Sequence, residues 1–205
     1  MGLIGLFGKW LIERQLIIHD GEISLLNQRV AMVPVSFFIE LHKYALNSKD
    51  KRFKDDLYLW AWKTAYLYIK KFDEEYGLKT FEERYRWGMD VAAAAGFGDY
   101  KPGQYSHFYV FNNPVAQSFY PYKEPIDIML RGINAGGGTA CHLKIVNCLE
   151  TECQAINGER CVFVTGTEKA HRKMGIDHLY ATQIDLDYIV PIQKEIIKES
   201  GWPKI

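Results

Sequence analysis

The chain has 205 residues, of which 48% are hydrophobic and 14% aromatic. This composition excludes a disordered chain, and the length suffices for one domain with a sizeable core. Lysine and arginine together number 25, as do aspartate and glutamate, so the overall charge points to neither nucleic acid nor a membrane surface. No apolar run approaches the roughly 20 residues of a membrane span, and no signal peptide is evident, so we expect a cytoplasmic protein.

Helix and turn patterns alternate over the first quarter of the chain. Apolar residues three and four apart predict an amphipathic helix over residues 3–16. Asp20-Gly21 is a turn signal inside residues 16–33, whose loose alternation predicts a hairpin. A second helix is predicted over residues 34–47, because proline is favoured at the first position of a helix.

The middle of the chain predicts two further helices and two strands. Residues 57–72 form the most aromatic predicted helix. Thr80 is the expected N-cap of a helix over residues 80–95, because a hydroxyl there accepts a hydrogen bond from the first turn. Residues 104–111 and 116–120 resemble strands and are separated by an Asn-Asn-Pro turn signal.

All four cysteines lie in the block that follows. A helix is predicted over residues 126–143, with Gly132 and Gly136 on one face where another backbone can approach closely. Residues 143–153 and 161–165 then alternate between apolar and polar types. An Asn-Gly pair between them supplies the positive φ angles of a tight turn, so the two runs predict a β-hairpin.

The last part of the chain is more polar and basic. We predict one domain over residues 1–166 and a helical appendage over residues 167–205. The appendage contains a helix over residues 185–200 that is interrupted or restarted at Pro191. The predicted fold class is α+β, with a group of helices packed on an antiparallel sheet.

The block with the cysteines resembles a known family. The resemblance is carried by the motif Glu150-x-x-Cys153-x7-Cys161-x-Phe163 and by the helix that precedes it with Gly132-x-x-Ala135-Gly136. This pattern resembles the 4-vinyl-reductase domain family over about residues 10–165. That family includes small stand-alone archaeal proteins described as hydrocarbon-binding. Its relatives include the aromatic-sensing input domains of bacterial transcription activators and subunits of the Golgi transport particle.

The resemblance implies a ligand-binding domain of the NO-signalling/Golgi-transport type and a structural zinc site. In the aromatic sensors, zinc is held by the Glu and two Cys of the hairpin motif and by a Cys near the start of the glycine helix. This chain has Asp127 at that last position. Carboxylate oxygen is also an acceptable zinc ligand. The resemblance therefore implies a zinc set of Asp127, Glu150, Cys153 and Cys161.

Two alternatives to this ligand set stay open. Spacing alone allows a site with four cysteine ligands, although the intervals fit no CxxC knuckle, and Cys148 is the reserve ligand in place of Asp127. The second alternative has no metal, with Asp127 as a helix N-cap and the cysteines as buried apolar residues. Residues three apart on a regular strand face opposite ways, so Glu150 and Cys153 converge only if the strand bends or ends near Glu152.

The aromatic surplus is compatible with an apolar ligand pocket. The residues we expect to line it come from three predicted helices and one strand: Phe37, Phe38, Trp60, Ala61, Thr64, Ala65, Trp87 and His107. The resemblance places pocket residues near His107, which can hydrogen-bond the hydroxyl of an otherwise apolar ligand. The alternative is that these residues form plain core and surface.

The leading hypothesis is a non-enzymatic, homodimeric domain that binds or senses a small hydrophobic or aromatic molecule. The family name implies an alternative, a tetrapyrrole vinyl reductase or its accessory protein. The sequence has no nicotinamide or flavin fingerprint, and the glycine triplet lacks the Gly-Lys-Ser/Thr of a phosphate loop. A structural adaptor in a protein assembly is the third hypothesis, by similarity to the transport-particle subunits.

Overall fold

The computed structural model describes residues 16–25, 28–50, 52–104 and 107–202. The helix predicted over residues 3–16 lies outside them, apart from its last residue. The α-helices of the described residues are α1 (Val35–Asn47), α2 (Phe53–Tyr76), α3 (Phe81–Ala94), α4 (Pro114–Phe119), α5 (Ile128–His142), α6 (Gln154–Asn157), α7 (Glu168–Lys173), α8 (Tyr180–Gln183) and α9 (Leu186–Ser200), and a 3₁₀-helix spans Asp177–Leu179. The strands are β1 (Leu16–His19), β2 (Glu22–Leu25), β3 (Gln28–Val30), β4 (Asp99–Pro102), β5 (His107–Phe111), β6 (Asn147–Glu152) and β7 (Arg160–Gly166).

The strands form two antiparallel sheets. β1, β2 and β3 follow one another in the smaller sheet, which confirms the predicted hairpin and adds a third strand. The larger sheet has the order β4-β5-β7-β6, so β6 is at one edge of it. Helices packed on this antiparallel sheet confirm the predicted α+β class. None of the helices in the described residues is long and apolar enough to cross a bilayer.

Helices α2 and α5 pack closely at the centre of the molecule. A methyl group added at Gly132 would lie 2.8 Å from the side chain of Ala61, and one added at Gly136 would overlap the carbonyl group of Trp62. The two glycines therefore let the helix backbones approach each other. Beside them, the buried rings of Trp62 and Tyr66 stack at 5.1 Å, which places the aromatic face of α2 in the core.

The structure of residues 113–119 differs from the prediction. The run predicted as a strand over residues 116–120 is helix α4 and the residue that follows it. Asn113 is its N-cap and accepts hydrogen bonds from the backbone N–H groups of Val115 and Ala116, and Pro114 begins the helix. Asn-Pro is as suitable for a helix start as for a turn, and the short apolar run that follows does not distinguish helix from strand.

The turn between β6 and β7 also differs from the prediction. The antiparallel pairing of the two strands is confirmed, but they are not joined by a two-residue Asn-Gly turn. The one-turn helix α6 intervenes, and only Gly158 of the pair has a positive φ, +75°, where it ends that helix. The side chain of Asn157 instead accepts a hydrogen bond from the backbone N–H of Glu159 at 2.8 Å.

The C-terminal helices pack against the rest of the chain. α9 contacts α2, with Ile189 fully buried and the Tyr188 hydroxyl donating to Asp56 at 2.7 Å. α9 is continuous through Pro191, which corrects the expected interruption. The proline lies in the second turn of the helix and lacks the N–H that would donate to the Asp187 carbonyl.

Candidate metal centre

Four acidic and thiol side chains converge where α5, β6 and β7 meet. Asp127, Glu150, Cys153 and Cys161 each offer a ligand atom, and these atoms lie within 4.8 Å of one another. All four residues are at most 1% exposed. Asp127 directly precedes α5, Glu150 lies in β6, Cys153 follows β6, and Cys161 lies in β7. This group is the set implied by the sequence resemblance.

The end of β6 lets Glu150 and Cys153 face the same point. The register of β6 on β7 shifts between Glu150 and Glu152, and the strand ends at Glu152. A bulge of this type bends a strand and redirects the side chains beside it. Cys153 is then the N-cap residue of α6. The bend that the three-residue spacing requires is therefore present.

Asp127 is in the N-cap position of α5, but its side chain makes no capping bond. Its Oδ2 atom instead accepts hydrogen bonds from Asn113 Nδ2 at 2.7 Å and from Cys161 Sγ at 3.3 Å. The side chain therefore points into the cluster. This geometry does not support the alternative in which Asp127 serves only as a helix cap.

Two carboxylate oxygens in the cluster have no hydrogen-bond partner among the described residues. They are Asp127 Oδ1 and Glu150 Oε1, and both are buried. An unsatisfied buried polar atom costs about 1–3 kcal/mol. Burial, as the main cause, raises the pKa of Asp127 and raises that of Glu150 well above its usual range. A divalent cation bound between the two residues would satisfy both orphaned oxygens.

One pair of donor atoms has a separation close to that of two ligands of a tetrahedral zinc ion. Zn–S and Zn–O bonds of about 2.3 and 2.0 Å place a sulfur and an oxygen ligand about 3.5 Å apart. Cys161 Sγ and Asp127 Oδ2 are 3.3 Å apart. A hydrogen bond with Cys161 lowers the pKa of the Cys153 thiol, and the same contact raises the pKa of Cys161.

Neighbouring groups donate hydrogen bonds to the cluster. The backbone N–H of Gln154 donates to Cys161 Sγ at 3.2 Å, and that of Asp127 donates to Glu150 Oε2 at 3.2 Å. Asn113 Nδ2 also lies 3.6 Å from Cys161 Sγ. Such donors orient metal ligands and stabilise their charge. Asn113 was not identified from the sequence, because no sequence pattern indicates that its amide nitrogen binds Asp127.

The two remaining cysteines lie outside this group. Cys141 is buried in α5, and Cys148 is buried in β6. Burial raises the pKa of each thiol to about 12. The structure therefore does not assemble the four-cysteine set, and Cys148, the reserve ligand, is not part of the cluster.

The residues predicted to line a ligand pocket occupy several different environments. Phe37, Trp60 and Thr64 are exposed, Ala61 is buried against Gly132, and the rest are partly buried: Phe38, Ala65, Trp87 and His107. Their aromatic rings pack on different partners. Phe37 packs on Phe38 at 5.6 Å, whereas Trp60 and Trp87 pack on other aromatic residues of the chain.

Surface hollows do not coincide with these residues. One hollow of ≈ 380 Å³ is lined by Gln117, Tyr120 and the loop around Gly158, and another of ≈ 560 Å³ is lined by charged residues of α7. None of the eight predicted residues lines either hollow. The ligand pocket thus stays a prediction.

Comparisons with known proteins identify the fold. No protein-family model matches the chain, and no curated protein does. The phenol-responsive sensory domain of the transcription activator PoxR, solved with phenol, is similar with a TM-score of 0.64 at 13% identity, covering 85% of this chain and 96% of that one. A vinyl-4-reductase family protein from Methanocaldococcus jannaschii has a TM-score of 0.46 at 16% identity, covering 80% and 90%. The similarity to the sensory domain confirms the expected fold.

Proposed function

We propose that the chain is a non-enzymatic domain that binds a small hydrophobic or aromatic molecule and carries a structural zinc ion. The observation that carries the zinc part is the group of two thiols and two carboxyls with orphaned, buried oxygens. The fold shared with a phenol-responsive sensory domain supports the ligand part. All four cysteines are free, which fits the reducing cytoplasmic compartment that we expect.

Zinc is the metal that this donor set favours. Thiolate sulfur is a poor ligand for magnesium and calcium, whereas mixed sulfur and oxygen ligands at tetrahedral spacing suit zinc. Asp127, Glu150, Cys153 and Cys161 would fill all four positions. A closed site has no position for a reacting water, so the bound ion would hold α5, β6 and β7 together and would not catalyse a reaction.

An aromatic layer beside the cluster supports the ligand part. Tyr85 of α3 stacks on Phe108 of β5 at 5.9 Å. The Tyr100 hydroxyl in β4 is buried and has no hydrogen-bond partner in the part of the chain that the structure describes. A hydroxylated aromatic ligand that entered this layer would satisfy the hydroxyl. The predicted contacts Trp87 and His107 lie on α3 and β5, the same two elements.

Exposed apolar side chains support the homodimer. Phe37, Tyr44 and Trp60 are 55%, 63% and 57% exposed on the surface of α1 and α2. Large apolar side chains on one surface are typical of an interface between protein chains. We propose that a second copy of the chain covers them.

Native mass spectrometry of protein purified from its own source, together with a phenol titration, tests the proposal. We expect one zinc ion per chain, a dimer, and quenching of tryptophan fluorescence on addition of phenol. Tyr100→Phe should weaken phenol binding and leave the zinc content unchanged, because only the hydroxyl is lost. A protein that carries no metal and whose fluorescence no phenol or hydrocarbon alters would contradict both parts.

A further inference from the structure

Gln183 covers the exposed edge of β6 at one residue. Strand β6 lies at the edge of its sheet, so alternate residues have N–H and C=O groups that no neighbouring strand satisfies. The side chain of Gln183 accepts a hydrogen bond from the Glu150 N–H at 2.9 Å and donates one to the Glu150 carbonyl at 2.8 Å. Its amide thus replaces the peptide group of a missing strand.

The residue held in this way belongs to the metal cluster. Glu150 pairs with Phe163 of β7 on its other side, and the bulge of β6 begins immediately after it. A bulge locally disrupts the ladder of hydrogen bonds. The two hydrogen bonds with Gln183 therefore fix the backbone of Glu150, whose carboxylate projects into the cluster. At this residue the bulge leaves the strand with fewer hydrogen bonds of its own.

Gln183 also holds a buried positive charge close to the cluster. The Gln183 carbonyl accepts a hydrogen bond from Arg131 Nη1 at 2.7 Å, and Arg131 is 3% exposed. A zinc ion with two carboxylates and two thiolates has a net negative charge, because the ligand charges exceed that of the metal. A buried guanidinium nearby offsets part of it.

We infer that Gln183 is a positioning residue for the metal centre, through which the C-terminal segment sets the geometry of the Glu150 ligand. The inference rests on the proposed zinc site. Removal of a residue that orients a metal ligand through hydrogen bonds typically weakens metal binding 10–100-fold. The metal affinity and the packing of α8 on β6 are then coupled.

Gln193 provides a matched control. It is fully buried in α9, and its Nε2 atom donates to the side chain of Asn147 at 3.0 Å, at the other end of β6. The bond thus joins the C-terminal segment to the same strand but to no residue of the cluster. Gln183→Met and Gln193→Met each remove the amide while nearly conserving volume.

The test uses the full chain loaded with cobalt or zinc. Cobalt in a site with sulfur ligands has visible absorption bands whose position and intensity report the geometry of the ligands, and competition with a chelator gives the zinc affinity. We expect Gln183→Met to alter the cobalt spectrum and to weaken zinc binding about 10–100-fold. Gln193→Met should lower the thermal midpoint but keep the wild-type spectrum and affinity. If Gln183→Met does not fold, Gln183→Asn, whose amide is one methylene shorter, should give the same direction of change.

The outcomes separate this inference from the proposed function. Wild-type spectrum and affinity in a folded Gln183 variant would overturn the positioning role and leave the zinc site intact. An equal loss of affinity in Gln193→Met would also overturn it, since the effect would then be one of general packing. A wild-type chain that binds neither metal would overturn the zinc site and the positioning role together.

Discussion

At the scale of single residues, Asn113 and Asp127 illustrate how one side chain serves two neighbours. Asn113 caps α4 with its carbonyl oxygen and holds Asp127 with its amide nitrogen. Asp127 in turn presents one oxygen to Asn113 and Cys161, and its other oxygen has no partner within the described ranges. Fully buried polar groups are normally all satisfied. The orphaned oxygen is therefore the residue-scale observation that supports the proposed metal ion.

Substitution of the thiols should remove the metal. We expect Cys161→Ser to abolish stoichiometric zinc, because the hydroxyl is a far weaker ligand than a thiolate. Cys141→Ser is the matched control, since it makes the same change at a buried cysteine outside the cluster. Elemental analysis measures both. Zinc retained in Cys161→Ser, or lost in Cys141→Ser, would show that the ligands are others.

The pH dependence of stability should change sign when zinc binds. The pKa values of Asp127 and Glu150 are raised from their ordinary 3.8 and 4.5, chiefly by burial. A raised pKa stabilises the folded state below the ordinary pKa, and this contribution is lost as the pH rises through the folded-state value. The zinc-free protein should therefore become less stable as the pH rises above about 4.

With zinc bound, we expect the free energy of unfolding to rise with pH, because the ligands must be deprotonated and acid displaces the metal. The free energy of unfolding in urea, measured across this pH range with zinc and with a chelator, tests the prediction. Slopes of the same sign in the two series would contradict it.

At the scale of elements, the close contact of α2 and α5 depends on glycine. We expect Gly136→Ala to lower the free energy of unfolding by about 1–3 kcal/mol or more, because the added methyl overlaps the Trp62 carbonyl. Gly137→Ala is the control, as nothing lies within 4 Å of its added methyl. That change should raise stability by about 0.5–1 kcal/mol, because alanine favours a helix. If the two variants changed the free energy of unfolding equally in chemical denaturation, the helices would not approach each other closely at Gly136.

Long helices could be predicted from the sequence more reliably than some of the short elements. The predicted helices over residues 34–47 and 57–72 correspond to α1 and α2, since many periodic apolar positions agree. Strand β4 was missed, because four residues that end in Pro102 carry no strand signal, and proline is tolerated there only at a sheet edge.

The metal cluster could be predicted only in part. The resemblance implies Asp127, Glu150, Cys153 and Cys161, whereas the spacing of the cysteines alone suggests a four-cysteine site. The hydrogen bonds of Asn113 and Gln183 could not be foreseen, because they join residues that are far apart in sequence and depend on how the helices pack.

At the scale of the whole molecule, the C-terminal helices are part of one packed structure. Tyr66 of α2 donates a hydrogen bond to the Trp202 carbonyl, and Gln193 reaches β6. Three exposed aromatic residues, Phe37, Tyr44 and Trp60, lie instead on α1 and α2. The C-terminal segment therefore stabilises each chain, and the proposed contact between chains involves α1 and α2.

This arrangement makes Trp60 a suitable place to test the homodimer. We expect Trp60→Glu to shift the protein towards monomer in sedimentation velocity, because a charge replaces an apolar side chain in the proposed interface. Lys173→Glu, a charge change on the exposed surface of α7, should leave the sedimentation coefficient unaltered. A dimer that persists in Trp60→Glu would place the contact elsewhere on the chain.

The zinc site is tested most directly by X-ray absorption at the zinc edge of protein purified without chelator. We predict two sulfur ligands at about 2.3 Å and two oxygen ligands at about 2.0 Å. Asp127→Cys should convert the spectrum to three sulfurs and one oxygen. Four sulfur ligands in the wild type, or a chain that retains no zinc, would contradict the assignment of Asp127, Glu150, Cys153 and Cys161.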